Sequence, residues 1–261
     1  MNNAMNDFLL AFDVGNTNIK IGVYEGEALR HVWRVATQRE MTSYELWEVV
    51  GRLLQRSGID PRKFDGIVVS SVVPPLMTAI REMGERYFGQ SPLVAGPGAK
   101  TGLTIHTDQP AQTGADRIVS AMAAVERYGA PVIVLCLGTA TTISVVDDRK
   151  RFLGGTIAPG GMISADALLE QAAVLPSVDF MDVPKGISLS TEDSMKYGIL
   201  VGLAGQIDGI VSRMKEEMGL PFTVVASGGI SRLISPYSKT VQHTHPDLVL
   251  EGLPLLWRLN R

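Results

Sequence analysis

Two stretches of this chain share one pattern, and that pattern constrains the fold more than any other feature. Phe12-Asp13-Val14-Gly15-Asn16-Thr17 and Leu135-Cys136-Leu137-Gly138-Thr139-Ala140 each run as an apolar strand, a polar or small residue, a glycine, small or polar side chains and then a second strand. Later in each half a β-branched run ends in small residues ahead of a helical stretch: Val68-Val69-Ser70-Ser71, then Val224-Val225-Ala226-Ser227. Units this long are not solenoid repeats. They point to two similar α/β domains facing each other, a size that 261 residues accommodates. The alternative is that an α/β chain produces two such hairpins by chance.

The remaining periodicity fits this division. Residues 9–24 read as a hairpin and 66–73 as a strand. Leu46, Val49, Val50, Leu53 and Leu54 give residues 44–57 helical spacing. Pro74-Pro75 can open a helix over 76–88. Helices are expected over 118–128, 163–173, 194–218, in the stretch after Gly229, and over 253–259. Residues 132–146 read as strand, turn and strand, and 222–226 as a strand. The glycine-dense 154–161 reads as a loop before a helix.

Composition narrows the function. With 24 basic and 27 acidic residues the net charge is −3, which excludes nucleic-acid binding by bulk positive charge. One cysteine excludes an internal disulfide framework and fits a reducing compartment. The opening residues lack a basic region and carry Asp7, which argues against a secretory signal. Apolar runs such as 132–137 fall far short of the ~20 residues a spanning helix needs. The expectation is a cytosolic protein with no membrane partner.

The chemistry is concentrated at the turns. At 13–18, glycine lets backbone N–H groups approach a phosphate, Asn and Thr add donors, and the Asp13 carboxylate can hold a hydrated Mg²⁺. The same residues also make a plain tight hairpin turn. Gly138-Thr139-Ala140-Thr141-Thr142 is the counterpart, and two such hairpins can grip a phosphate chain from both sides. Neither a Walker A nor a Rossmann fingerprint is present. Thr113-Gly114-Ala115-Asp116-Arg117 sets a carboxylate beside a guanidinium ahead of a helix, suited to a general base next to an anion clamp. It equally suits a helix cap followed by a surface charge. Gly154–Gly161 and Ser227-Gly228-Gly229 read best as chain turns. His243-Thr244-His245 has no carboxylate or thiol at metal-ligand spacing except Asp247, too few for a metal site.

Taken in order, these residues resemble type III pantothenate kinase, in the acetate and sugar kinase/Hsp70/actin superfamily. The matching segments are 13–18, Ser70-Ser71-Val72-Val73-Pro74-Pro75, 96–103, Gly114-Ala115-Asp116-Arg117, 138–142, 154–160, Thr191 and Ser227-Gly228-Gly229. The resemblance implies two actin-like (ribonuclease H-like) domains across a cleft, divided as 1–117 and 118–261, with the last helix packing back on the first. It implies a cytosolic homodimer that transfers phosphate from ATP to the hydroxyl of pantothenate, opening coenzyme A synthesis. Mg²⁺ and a monovalent cation, K⁺ or NH₄⁺, come with the family. Carried over by residue, Asp116 is the proton acceptor. Asp13, Val14, Gly15, Asn16, Thr17, Asn18, Ile19 and Lys20, with Gly138 and Thr139, bind ATP, and Asp13 faces Mg²⁺. Thr107, Gly114, Ala115, Asp116, Arg117 and Thr191 meet the substrate. Two departures stand out. Cys136 occupies the family's cation-binding aspartate position and is not expected to ligate. Thr107 replaces the tyrosine that lines the pantothenate pocket. They leave two other readings open: a kinase for another small hydroxy acid, or a relative that binds without catalysis.

Overall fold

The computed structural model describes residues 8–172 and 175–261, so Asp7 and the expected helix end at Ala173 lie outside the described residues. The chain runs β1 (Phe8–Val14), β2 (Asn18–Glu25), β3 (Ala28–Ala36), α1 (Ser43–Arg56), β4 (Phe64–Ser71), α2 (Leu76–Met83), β5 (Leu93–Val94), β6 (Thr104–Ile105) and α3 (Ala115–Tyr128). It continues through β7 (Val132–Leu137), β8 (Ala140–Val146), β9 (Arg151–Pro159), α4 (Gly161–Gln171), α5 (Thr191–Met218), β10 (Thr223–Ser227), α6 (Ser231–Ile234), β11 (His243–Thr244) and α7 (Leu248–Asn260).

The echo in the sequence is an echo in topology. One sheet has the order β3-β2-β1-β4-β5, and the other contains β9-β8-β7-β10-β11 with β6 added outside β9. In both, the first two pairings are antiparallel and the last two parallel. The chain forms two compact units that interleave along the sequence. Among the described residues, unit 1 holds 8–102, 109–123 and 249–261, and unit 2 holds 103–108, 124–172 and 175–248. The helix α3 therefore begins in one unit and ends in the other, and α7 belongs to unit 1.

In unit 1, Leu10, Phe12, Val14, Ile19, Ile21 and Val69 alternate onto one face of the sheet and are buried against α1 and α2. A reciprocal cap starts α1: the Thr42 hydroxyl accepts the Glu45 N–H, and the Glu45 carboxylate accepts the Thr42 N–H at 2.8 Å. The helix read over 76–88 is α-helical only to Met83; residues 84–88 form one wider turn that ends at Gly89. The opposite face of the sheet is covered by α7. Gly22 lies against the Leu250 side chain, and Gly66 lies so close to Trp257 that a Cβ there would fall 2.2 Å from the indole. The Tyr24 hydroxyl donates to the Leu250 carbonyl at 2.9 Å. In unit 2, Ile133, Leu135, Leu137, Ile143 and Val145 form the equivalent core against Leu200, Leu203, Ala204 and Ile207 of α5.

Three elements differ from the expectation. Residues 151–159 form the strand β9, not a loop: Gly154 pairs with Val145 and Gly155 with Ser144. Pairing with β8 overrides the low strand preference of glycine, and a Cβ on Gly155 would sit 1.9 Å from the Ile143 carbonyl oxygen. Strand β3 lies at the sheet edge with residues 30–36 alternately exposed and half-buried, and Arg30, His31 and Arg34 leave no long apolar run to read. The long helix starts at Thr191, earlier than 194, because the Ser190 side chain caps it by accepting the Asp193 N–H.

Candidate active site

Unit 1 carries the first turn. The Gly15 N–H donates to the Asn18 carbonyl at 3.0 Å and closes the β1–β2 hairpin. From β3 onward the chain braces it: the Thr37 hydroxyl donates to the Gly15 carbonyl at 2.7 Å, the Thr37 N–H to the Thr17 carbonyl, and Arg39 to the Asn16 side chain. Asn16 and Thr17 are exposed, so their donors face outward, while Asp13 behind them is half-buried. Across the strands, Asp13 stands opposite Lys20 on β2 and Ser70 on β4. Paired residues share a face, so Lys20, Asp13 and Ser70 form a polar row.

The same unit carries the carboxylate of α3. Asp116 lies in the first helical turn, half-buried, with the Arg117 and Ile118 N–H groups bonded to the Gly114 carbonyl. Burial pushes the Asp116 carboxyl above its ordinary value. The Arg117 N–H and guanidinium pull the other way and do not cancel it. A carboxylate held this way is a better proton acceptor than a free one, because its conjugate acid is weaker. Gly114 leaves the necessary space: a Cβ there would lie 2.7 Å from Asp116 Oδ1.

Unit 2 carries the second turn, Gly138-Thr139, exposed at the end of β7 with the Gly138 N–H donating to the Ala140 carbonyl. Two glycines support it from behind. A Cβ on Gly160 would lie 2.3 Å from both the Gly138 and Thr139 carbonyl oxygens, and one on Gly228 would lie 2.3 Å from that of Leu137. These positions turn the chain as expected. They also pack backbone on backbone, and the doublets Gly160-Gly161 and Gly228-Gly229 at strand ends were the available signal. The Thr141, Thr142 and Thr156 hydroxyls nearby are buried with no hydrogen-bond partner.

The polar row of unit 1 has a counterpart here. Cys136 stands opposite Thr142 on β8 and Ser227 on β10. The Cys136 thiol is half-buried. Thr107 lies beside β9, its methyl 3.5 Å from where a Cβ on Gly154 would be. Thr191 opens α5 and is exposed. Beside it, buried Lys196 pairs with Glu192 at 3.0 Å and Asp179 at 3.1 Å, which raises its pKa and ties residues 179–182 to α5. The expected site residues thus divide between the units: Asp13–Lys20 and Gly114–Arg117 in unit 1, Thr107, Cys136, Gly138, Thr139 and Thr191 in unit 2.

His243 stacks on Tyr128 at 4.2 Å, and the Tyr128 hydroxyl bonds His245 Nε2, so both imidazoles have structural partners. No group of three or more His, Cys, Asp or Glu residues able to hold a metal occurs among the described residues. No helix among them is long and apolar enough to cross a membrane.

Known proteins match this chain over most of its length. The sequence signature of type III pantothenate kinase matches residues 9–213. A type III pantothenate kinase of Exiguobacterium sp. is 44% identical over 97% of this chain and 99% of its own length. That of Listeria monocytogenes is 46% identical over 97% and 98%. Among solved structures, a ROK family glucokinase from Streptomyces griseus, in complex with glucose and AMPPNP, superposes with a TM-score of 0.56 over 96% of this chain and 99% of its own, at 15% identity. The last likeness carries the fold, two actin-like α/β domains; the first three carry the family. The chain belongs to the type III pantothenate kinase family.

Proposed function

We propose that this protein transfers the γ-phosphoryl group of ATP to the hydroxyl of pantothenate, giving 4'-phosphopantothenate at the entry to coenzyme A synthesis. The observation that carries the reading is the match to type III pantothenate kinases over 97% of the chain. Phosphoryl transfer proceeds through a loose transition state, so the protein's task is positioning and charge neutralisation. The hairpin from Asp13 to Lys20 and the turn at Gly138-Thr139 present N–H, hydroxyl and amide donors to the phosphates. Asp116 accepts the substrate hydroxyl proton, and Arg117 holds the pantothenate carboxylate. Gly114 and Ala115 shape that loop, while Thr107 and Thr191 contact the substrate.

A hard divalent ion fits the Asp13 side. Its carboxylate ends a strand beside an exposed hydroxyl- and amide-bearing turn, and the neighbouring buried Ser70 hydroxyl has no partner. Mg²⁺ held there neutralises phosphate charge. A monovalent cation does not fit the Cys136 position, where a thiol replaces an oxygen donor. The protein is read as a cytosolic homodimer. In support, seven of the twelve exposed large apolar residues among the described residues fall within 157–189, including Met181, Ile187 and Leu189. Light scattering tests the dimer.

The decisive experiment is ATP consumption by the purified protein with and without pantothenate, beside other small hydroxy acids. Pantothenate-dependent turnover is expected. Turnover only with another acid supports the altered substrate to which Thr107 points, and ATP binding without turnover supports a non-catalytic relative.

A further inference from the structure

A tight turn between two strands is common. The one between β1 and β2 is also gripped from outside, by the segment that leaves β3. Thr37 makes two of the bonds: its hydroxyl donates to the Gly15 carbonyl at 2.7 Å, and its N–H to the Thr17 carbonyl at 3.0 Å. The second bond continues the β2–β3 ladder, and any residue but proline could supply it. The first needs a side-chain hydroxyl. It joins residues 22 positions apart, so it lies outside the turn's own local chemistry.

Its consequence follows from the peptide plane. The Gly15–Asn16 bond is trans, so its C=O and N–H point in opposite directions. Holding the carbonyl toward Thr37 turns the Asn16 N–H to the other side, at the exposed tip of the turn. A carbonyl oxygen facing outward there would repel a phosphate, whereas an N–H attracts it. Arg39 acts in the same sense on the side chain. It donates to Asn16 Oδ1 at 3.3 Å, which directs the NH₂ end of that amide away from the guanidinium.

We infer that Thr37 is a positioning residue for nucleotide binding: its hydroxyl, by holding the Gly15 carbonyl, aims the Asn16 N–H at the phosphates. The inference rests on the reading that the hairpin from Asp13 to Lys20 receives those phosphates. Thr37 acts through the turn and takes no part in proton or phosphoryl transfer. An N–H fixed in advance costs no reordering when the ligand arrives, and a hydrogen bond to a charged group is worth about 10–100-fold in affinity.

The test is isothermal titration of the full-length protein with ATP and Mg²⁺ and, separately, with adenosine, which has no phosphates. The proteins are the parent, Thr37→Val, which keeps the shape and the backbone N–H, Thr37→Ser, which keeps the hydroxyl, and Asn16→Asp, which sets a negative charge at the tip of the turn. If Thr37→Val does not fold, Thr37→Ala takes its place. Thr37→Val is expected to lose about 10-fold or more in ATP affinity with adenosine affinity unchanged, and Thr37→Ser to bind both like the parent. Asn16→Asp should weaken ATP alone. Parental ATP affinity in Thr37→Val beside a loss in Asn16→Asp overturns the positioning role and leaves the turn facing the phosphates. Parental ATP affinity in Asn16→Asp overturns the reading beneath it. An equal loss of ATP and adenosine in Thr37→Val, or a loss that Thr37→Ser shares, shows that the residue serves the fold and also overturns the inference.

Discussion

Asp116→Asn tests the chemical core of the proposed mechanism. Asparagine keeps the size of the side chain at the head of α3, including the fit against Gly114, where a Cβ would lie 2.7 Å from Oδ1. What it removes is the ability to take a proton. A positioned general base contributes typically ~10²–10⁴-fold, or about 3–5 kcal/mol of transition-state stabilisation at ~1.4 kcal/mol per decade. ATP consumption at saturating pantothenate should fall by that factor, with nucleotide affinity retained. Burial adds a second, independent signature. It raises the folded-state pKa of Asp116 above the 3.8 of a free side chain, so the folded protein binds this proton more tightly than the unfolded chain. The stabilisation is fully present below 3.8 and is lost as pH rises through the folded value. At neutral pH the carboxylate therefore destabilises the fold, and the neutral amide should melt at or above the parent. Below 3.8 that advantage should vanish. Near-parental turnover would refute the role of Asp116, and a variant melting well below the parent only at neutral pH would refute the burial argument.

Three further outcomes follow from particular contacts. Gly66→Ala would drive a methyl group to within 2.2 Å of the Trp257 ring and should lower unfolding stability by about 1–3 kcal/mol or more, read from the urea midpoint; an unchanged midpoint would show that α7 yields freely. Asp147 is buried, which pushes its pKa up, but the Arg151 N–H at 2.8 Å, the Arg151 guanidinium and the Arg149 N–H hold it below the usual range. Its stabilisation is present above 3.8 and lost as pH falls through the lower folded value, so Asp147→Ala should cost ~1–3 kcal/mol at neutral pH and flatten the acid limb of the melting curve. Initial rates of the unmodified enzyme should depend little on K⁺ at constant ionic strength, because the Cys136 thiol is a poor ligand for a hard cation; Cys136→Asp should introduce K⁺ stimulation, and strong activation of the parent by K⁺ would contradict the argument.

Much of this fold was legible because its signals are local. The hairpins around Gly15 and Gly138 announce themselves by apolar alternation on both sides of a glycine, and the structure gives the two sheets one topology. What stayed hidden depends on pairing. Strand β9 reads as a glycine loop until β8 is laid beside it, since Gly154 and Gly155 have no strand preference and only the ladder holds them extended. Strand β3 shows the same limit: at the sheet edge Arg30, His31 and Arg34 break up its apolar residues, and only pairing with β2 makes it a strand. At the site, Asp116 could be named from its motif, but its burial could not, because that comes from packing. Nor did the sequence separate Ser70 from Ser71: one is bonded to the backbone two residues on, the other faces Asp13 across the ladder.

The interleaving of the two units bears on how the protein emerges from the ribosome. The strands β1 to β5 are made well before α7, the helix that covers one face of the sheet they form. At a translation rate of about 5–20 residues per second, unit 1 waits roughly 8–30 s between the completion of its strands and the arrival of Trp257. During that interval Ala11, Gly22, Gly66 and Val68, all buried in the finished molecule, lack the helix that seals them. Unit 2 has no such wait, since its last strand and last helix precede α7. The C-terminal half can therefore finish before the N-terminal half, and the nascent first sheet is the stretch for which a chaperone has most time to compete. A circular permutant that carries α7 ahead of β1 would reverse that order.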